Sequence, residues 1–190
     1  VYWFIANANS MPADPLPRSF SFETSRLEIR RVTPSDADEL EKSLDDDFLQ
    51  ANGWTLAHRS LTIALLRAGD PSATIGQLVA CDSNGTPCTF VSITNAKRGS
   101  AGPEGLQLGV WTTPTERGRG YSTEALAGVM KLIHNSGTKT IYLGTSESNI
   151  AMQTVIERSG AQFEYTSAIE LPDGTMNTAR WYKHTGSKNR

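Results

Sequence analysis

The sequence predicts a mixed α/β fold in one domain, a sheet with helices packed on it. Three observations carry this prediction. Apolar residues alternate in some segments and recur every three to four residues in others, so strand and helix patterns interleave along the chain. The 190 residues, 38% of them hydrophobic, suit one core of ordinary size. No internal repeat or low-complexity segment divides the chain.

The elements follow in order. "RLEIRRV" (26–32) alternates Leu27, Ile29 and, one step off, Val32, the pattern of a strand. Thr33 is a good N-cap, Pro34 suits the first helical position and Asp36 completes a capping box. Leu40, Leu44 and Phe48 then recur every four residues, which predicts one amphipathic helix. "ANGWT" breaks it, and "AHRSLTIALLRAG" (57–69) reads as a second helix stopped by Gly69. Residues 75–82 and 88–94 form a hairpin about an Asn84-Gly85 turn. In that register Cys81 faces Cys88 in a hydrogen-bonded pair, within disulfide range. Two cysteines in a domain this size still read as free packed thiols of a cytoplasmic protein. Pro87 lacks a donor, so its end of the strand is expected to be frayed or at an edge.

"AKRGSAGPEG" (96–105) is a loop, and residues 106–112 are a strand with Leu106, Leu108 and Val110 on one face. Leu126, Val129, Met130 and Ile133 mark a helix ended by "NSG", and 139–145 is a strand. Residues 149–160 form a helix with Met152, Val155 and Ile156 inward and Gly160 as its stop. Two strands, "AQFEYTSAIEL" and "MNTARWYKH", are joined by the tight turn "PDGT". Residues 1–18 are set apart from the domain at 19–190. The opening apolar run has no basic flank, and "MPADPLP" reads as an extended lead-in.

The composition excludes several classes. Eighteen basic against 20 acidic residues, net charge −2, argue against general nucleic-acid binding. No apolar run approaches a membrane span. His58, His134 and His184 are scattered, so no zinc or other metal site is expected.

The chemistry concentrates in "TPTERGRGYSTEAL" (113–126). A helix start exposes unpaired N–H groups with partial positive charge. Gly118 and Gly120 let the backbone curl so that several N–H groups converge, and Arg117 and Arg119 add charge. Strand, Gly/Arg loop and helix together make a phosphate site. The loop is not a Walker A sequence. The dinucleotide fingerprint fails too, because Thr123 stands where its third glycine would be, and no acidic residue ends the next strand.

"ERGRGYSTEAL" resembles the acyl-CoA pyrophosphate loop of the GNAT superfamily of N-acyltransferases, Arg/Gln-x-x-Gly-x-Gly/Ala, placed here on Arg117, Gly120 and Ser122. Ser122 departs from the Gly/Ala rule but is small. "RLEIRRVTPSDADEL" and "SNIAMQTVIERSGAQFEY" are similar to the same superfamily, nearest its ribosomal-protein N-terminal acetyltransferase-like branch, over about residues 24–184. The resemblance implies a mostly antiparallel sheet of about seven strands flanked by about four helices. It implies acetyl-CoA as co-substrate, a primary amine as acceptor, and a monomer or homodimer.

By that resemblance, Val110, Trp111 and Thr112 bind the pantetheine arm and offer a backbone N–H to the thioester carbonyl. The pyrophosphate sits on the amides of Arg117, Gly118, Arg119, Gly120, Tyr121, Ser122 and Thr123. Asn149 contacts the cofactor, a role compatible with capping a helix. Members of the branch often carry a serine acid three residues later, where this chain has Met152; some relatives carry a glutamate base near position 106, here Leu106. Glu104 as base and Tyr165 as acid are the candidates that remain, with water relays as the alternative. Phe48, Trp54, Trp181 and Tyr182 are candidate acceptor walls. Glu39, Glu41, Asp45, Asp46 and Asp47 could draw in a cation or form a solvated helix face. Two rival readings stand beside the enzyme: a non-catalytic acyl-CoA-binding protein, and a nucleotide-phosphate module.

Overall fold

The computed structural model describes residue 16 and residues 20–70, 76–96 and 102–186. Apart from Leu16, the expected lead-in at 1–18 lies outside them.

Two short strands open the domain. β1 (Ser21–Glu23) was not expected from the sequence; it turns back at Thr24–Leu27 and pairs antiparallel with β2 (Glu28–Arg31). The Thr33 cap then forms as its sequence implies. Asp36 accepts from the Thr33 N–H at 2.8 Å, and its two oxygens take the Arg30 guanidinium at 2.8 Å each. Burial pushes this carboxyl up, but the Arg30 and Thr33 hydrogen bonds outweigh it and hold the carboxyl below its ordinary value.

The single helix expected through Leu40, Leu44 and Phe48 is two helices, α1 (Ala37–Ser43) and α2 (Asp46–Asn52). Asp45 is the reason. Its backbone is extended, and its side chain accepts from the Phe48 N–H at 2.9 Å, an N-cap in the middle of the periodic run. All three apolar residues are still buried in one cluster, so the spacing reported the core correctly and the break not at all. α3 (Leu56–Arg67) follows, capped by Thr55.

The hairpin of β3 (Gln77–Cys81) and β4 (Pro87–Ala96) corrects the expected register. A two-residue turn on Asn84-Gly85 needs positive φ at both, and only Gly85 has it, at 78°. Instead Gly85 N–H donates to Asp82 O at 2.9 Å, and Asp82 Oδ1 accepts from the N–H groups of Asn84 and Thr86 at 2.9 Å each. The turn therefore sits one residue earlier, and a shift between Ala80 and Cys81 sets Cys81 opposite Pro87 rather than Cys88. Both cysteines are buried free thiols, as expected.

The remaining elements are β5 (Gly105–Thr112), α4 (Tyr121–Asn135), β6 (Thr140–Ser146), α5 (Ile150–Arg158), β7 (Gln162–Glu170) and β8 (Met176–Thr185). One sheet runs β1-β2-β3-β4-β5-β6-β8-β7, antiparallel throughout except between β5 and β6. Eight strands and five α-helices exceed the expected seven and four by β1 and by the break at Asp45. One core joins the sheet to α4 through Leu126, Val129, Met130 and Ile133 and to α5 through Ile156. A second lies under α1–α3 on the other face, around Phe48, Phe90 and Trp111. Among the described residues no helix is long and apolar enough to cross a membrane.

Candidate functional site

The site begins where the parallel seam ends. β5 and β6 pair only at Gln107–Tyr142 and Leu108–Leu143, yet β5 continues to Thr112 and β6 to Ser146. Beyond Leu108 and Leu143 the strands part. Thr113 N–H donates to Cys88 O at 3.0 Å, so the odd-numbered groups of β5 point to β4. By alternation, the N–H and C=O of Val110 and Thr112 point into the gap, as Leu108 points to β6.

The loop after β5 aims at the same gap. Pro114–Glu116 makes one 3₁₀ turn, and Gly118 and Gly120 then take φ of 79° and 80°. Neither glycine is forced by crowding: a side chain at Gly118 would meet nothing within 4 Å, and at Gly120 only Arg26 Nη2 at 3.5 Å. The dihedrals are what require glycine. Gly120 caps α4 without any side-chain hydrogen bond. Helix geometry leaves the N–H groups of its first turn, at Tyr121, Ser122 and Thr123, without intrahelical acceptors. The Ser122 hydroxyl bonds Thr112 Oγ1, which in turn bonds Thr89 Oγ1 at 2.9 Å. A serine at this position thus ties the helix start to β5.

A cavity of about 540 Å³ runs through the gap. Val110, Trp111, Thr112, Arg117, Gly118, Gly120, Tyr121, Ser122, Thr123 and Asn149 line it, ten of the thirteen residues expected at the site. Arg119, Glu104 and Tyr165 are not among the lining residues. Arg119 instead pairs with Glu116 at 3.0 Å. Tyr165 stands on β7 with its hydroxyl pKa raised by burial, then by Glu164 and Tyr142. Asn149 caps α5, accepting from Met152 N–H at 3.0 Å, and Met152 lines the wall beside it.

Arg117 is engaged within the protein itself. Its guanidinium donates through Nε to Thr112 O at 3.4 Å. It reaches across to α2 and pairs with Asp45 at 2.6 Å and Asp47 at 3.5 Å. An arginine beside two carboxylates at a helix start satisfies both, and the sequence held no sign that this start existed. Of the expected aromatic walls, Phe48 and Trp181 line the cavity, whereas Trp54 and Tyr182 do not; Tyr182 is fully buried in the core under α4 and α5.

Sequence reasoning missed the β6 side of the gap, Gly144, Thr145 and Ser146, and the far wall of Ile169, Leu171 and Ala179. One signal was present: a glycine inside a strand. A side chain at Gly144 would come within 2.5 Å of the Trp181 ring, which packs flat against that backbone. Reasoning also missed Glu124, which fixes the start of α4. It accepts from Thr24 Oγ1, Ser25 Oγ and the Arg26 N–H and Nε, all within 2.9 Å, while Arg26 Nη1 donates to Arg119 O.

A sequence profile described as acetyltransferase (GNAT) domain matches residues 26–162. The chain belongs to the GNAT acetyltransferase family. Solved structures agree on the fold. An acetyltransferase (GNAT family) from Bacillus anthracis is 13% identical with a TM-score of 0.70, over 87% of this chain and 98% of that one. The ribosomal-protein-S5-alanine acetyltransferase of Vibrio fischeri is 14% identical with a TM-score of 0.61, over 90% and 99%. The yncA protein of Salmonella typhimurium, solved with its cofactor acetyl-CoA, is 15% identical with a TM-score of 0.60, over 86% and 96%. No curated protein matches the sequence. In this GNAT domain, then, an amide cradle and a parted seam share one cavity, and the donors present suit a diphosphate joined to an extended amide-bearing arm.

Proposed function

We propose that this GNAT protein is an acetyl-CoA-dependent N-acetyltransferase that acts on a primary amine by direct attack on the thioester. The single observation that carries the reading is the continuity of the cavity. It joins the free amides of the α4 start to the edge of β5 that β6 leaves past Leu108, and then opens toward α2 and β8.

Acetyl-CoA, when bound, supplies an activated acetyl group. The chain's own residues do the rest. The amides from Gly118 to Thr123 hold the diphosphate, helped by the partial positive charge of a fifteen-residue helix. The Val110 and Thr112 backbones hydrogen-bond the pantetheine amides, and a gap-facing N–H there stabilises the charge that builds on the carbonyl oxygen. Asn149 keeps the α5 start in place against the arm. Holding amine and thioester together removes the need for a covalent enzyme intermediate. Arg117 acts as a strut between the loop and α2 rather than as a phosphate ligand. With Glu104 and Tyr165 off the cavity wall, proton removal from the amine is assigned to water and to desolvation of the amine.

Met152 keeps a second reading in play, an acyl-CoA-binding protein without turnover, because a thioether donates no proton to a departing thiolate. Calorimetric titration with acetyl-CoA, ATP and NAD, followed by thiol release with an amine panel, separates the two. Binding of acetyl-CoA alone with thiol release supports the enzyme. Binding without release for any amine supports the second reading. In parallel, Gly120→Asp places a carboxylate against the diphosphate, and Gly120→Asn, equally strained at a φ of 80° but uncharged, separates the effect of charge from that of the backbone. Undiminished acetyl-CoA affinity in the aspartate variant would refute the loop assignment.

A further inference from the structure

The end of the cavity away from the α4 start has its own character. Its walls are Phe48 and Ala51 from α2, Trp111 from β5, and Leu171, Ala179 and Trp181 from the β7–β8 hairpin. The two sides meet. Gly53, closing α2, lies so near the hairpin that a side chain there would come within 2.5 Å of Leu171 Cβ. Trp181 is clamped between Gly144 and Gly102, where an added carbon would stand 2.5 and 2.2 Å from its ring, and its Nε1 is used by Ser167 Oγ at 2.9 Å. This end is therefore a largely apolar space, with Asn52 beside Ala51 in its lining and Trp181 held in place at its wall.

Its two carboxylates already have cationic neighbours. Four charged residues line the whole cavity: Asp47, Glu116, Arg117 and Arg158. Asp47 pairs with Arg117 and Glu116 with Arg119. The acidic run on α1 and α2 is compensated in the same way. Glu39 holds Lys42, Glu41 holds Arg67 and Asp45 holds Arg117. Of the five carboxylates that the sequence offered as a lure for cations, four are engaged by the protein's own cations, and the fifth, Asp46, is not among the residues lining the cavity.

Resting on the acetyltransferase reading, we infer that this apolar end, walled by Phe48, Trp111 and Trp181 with no uncommitted carboxylate, selects a primary amine with a single positive charge on a compact apolar group and rejects polycationic amines. A second ammonium would be buried without a partner. A lone ammonium in the same surroundings loses its proton more readily than in water, which supplies the neutral nucleophile that no side-chain base is placed to make. The same chemistry could come from a free arylalkylamine or from the α-amine of an apolar residue.

The test titrates 2-phenylethylamine, leucinamide, spermidine and kanamycin into the full chain saturated with CoA, so that the readout does not depend on turnover. Either of the first two is expected to bind at least about tenfold tighter than both polycations, and the stronger of the pair identifies the source of the amine. Equal or inverted affinities overturn the inference. Ala51 is exposed on α2 and lines this end, so Ala51→Glu adds a carboxylate without burdening the core. It is expected to shrink the ratio severalfold, and an unchanged ratio overturns the placement of the amine here. Failure of the two readings is distinguishable. The affinity order intact but no thiol release removes the transferase; thiol release fastest with spermidine or kanamycin removes only the selectivity.

Discussion

Glu124 is the residue on which the loop is hung. It sits in the first turn of α4, where a carboxylate suits the helix dipole, and it binds donors from a turn almost a hundred residues earlier. Burial pushes its carboxyl up; the hydrogen bonds from Thr24, Arg26 and Ser25 outweigh burial and hold the pKa at about 2, below the ordinary 4.5. A folded pKa below the unfolded one means that the charged form is favoured by folding. The stabilisation is complete above pH 4.5 and is lost as the pH falls toward 2. Glu124→Gln keeps the shape but loses the charge-assisted bonds, at a cost of about 1.5–3 kcal/mol at pH 7. Urea unfolding at pH 7 and at pH 3 checks this: the variant is expected to be less stable at pH 7, with a difference that narrows at pH 3. An equal loss at both values would mean that Glu124 matters for packing and not for its charge.

At the level of elements, Asp45 shows what a sequence can and cannot say. It ends one helix, starts another and anchors Arg117 from the loop after β5. Asp45→Ala removes both the cap and the ion pair and is expected to cost about 0.5–2 kcal/mol. Asp45→Asn keeps a good cap and drops the charge, and the pair is half exposed, so its stability is expected to stay within a few tenths of a kcal/mol. Matching losses in the two variants by urea unfolding would make the ion pair, not the cap, the important contact. The periodic spacing of Leu40, Leu44 and Phe48 was legible because burial writes itself as periodicity. The break was not, because an aspartate inside an acidic run looks like one more solvated charge. The glycine-rich loop was legible for the opposite reason: positive φ admits few residue types, so Gly118 and Gly120 stand out. The wall made by Trp181 against Gly144 and Gly102 was hidden, since it joins three segments that only the folded sheet brings together. So was the fate of Arg117, whose partner belongs to a helix that the spacing did not announce.

Across the whole molecule, the sheet is strong on both sides and weak in the middle. β4 and β5 pair along eight positions and β6 and β8 along seven, while β5 and β6 share two. Past that seam, the edges of β5 and β6 face each other across the cavity, and the α4 and α5 starts stand over it. A ligand laid in the gap supplies β5 with the hydrogen-bonding neighbour that β6 does not, and so couples the five strands before the seam to the three after it. Acetyl-CoA at one hundred times its dissociation constant is expected to stabilise the fold by about 2.7 kcal/mol, which for a chain of this size raises Tm by about 5–10 °C. The location of the effect is the sharper test. Amide exchange at Val110 and Thr112, if it requires ligand release, should slow by up to about 100-fold under those conditions, whereas Phe90, opposite Trp111 inside the β4–β5 ladder, should change only as much as global stability does. A Tm shift without selective protection at Val110 and Thr112 would place the ligand on the helix starts alone. It would leave the parted seam as a feature of the fold and not as the track that carries the acyl group to the amine.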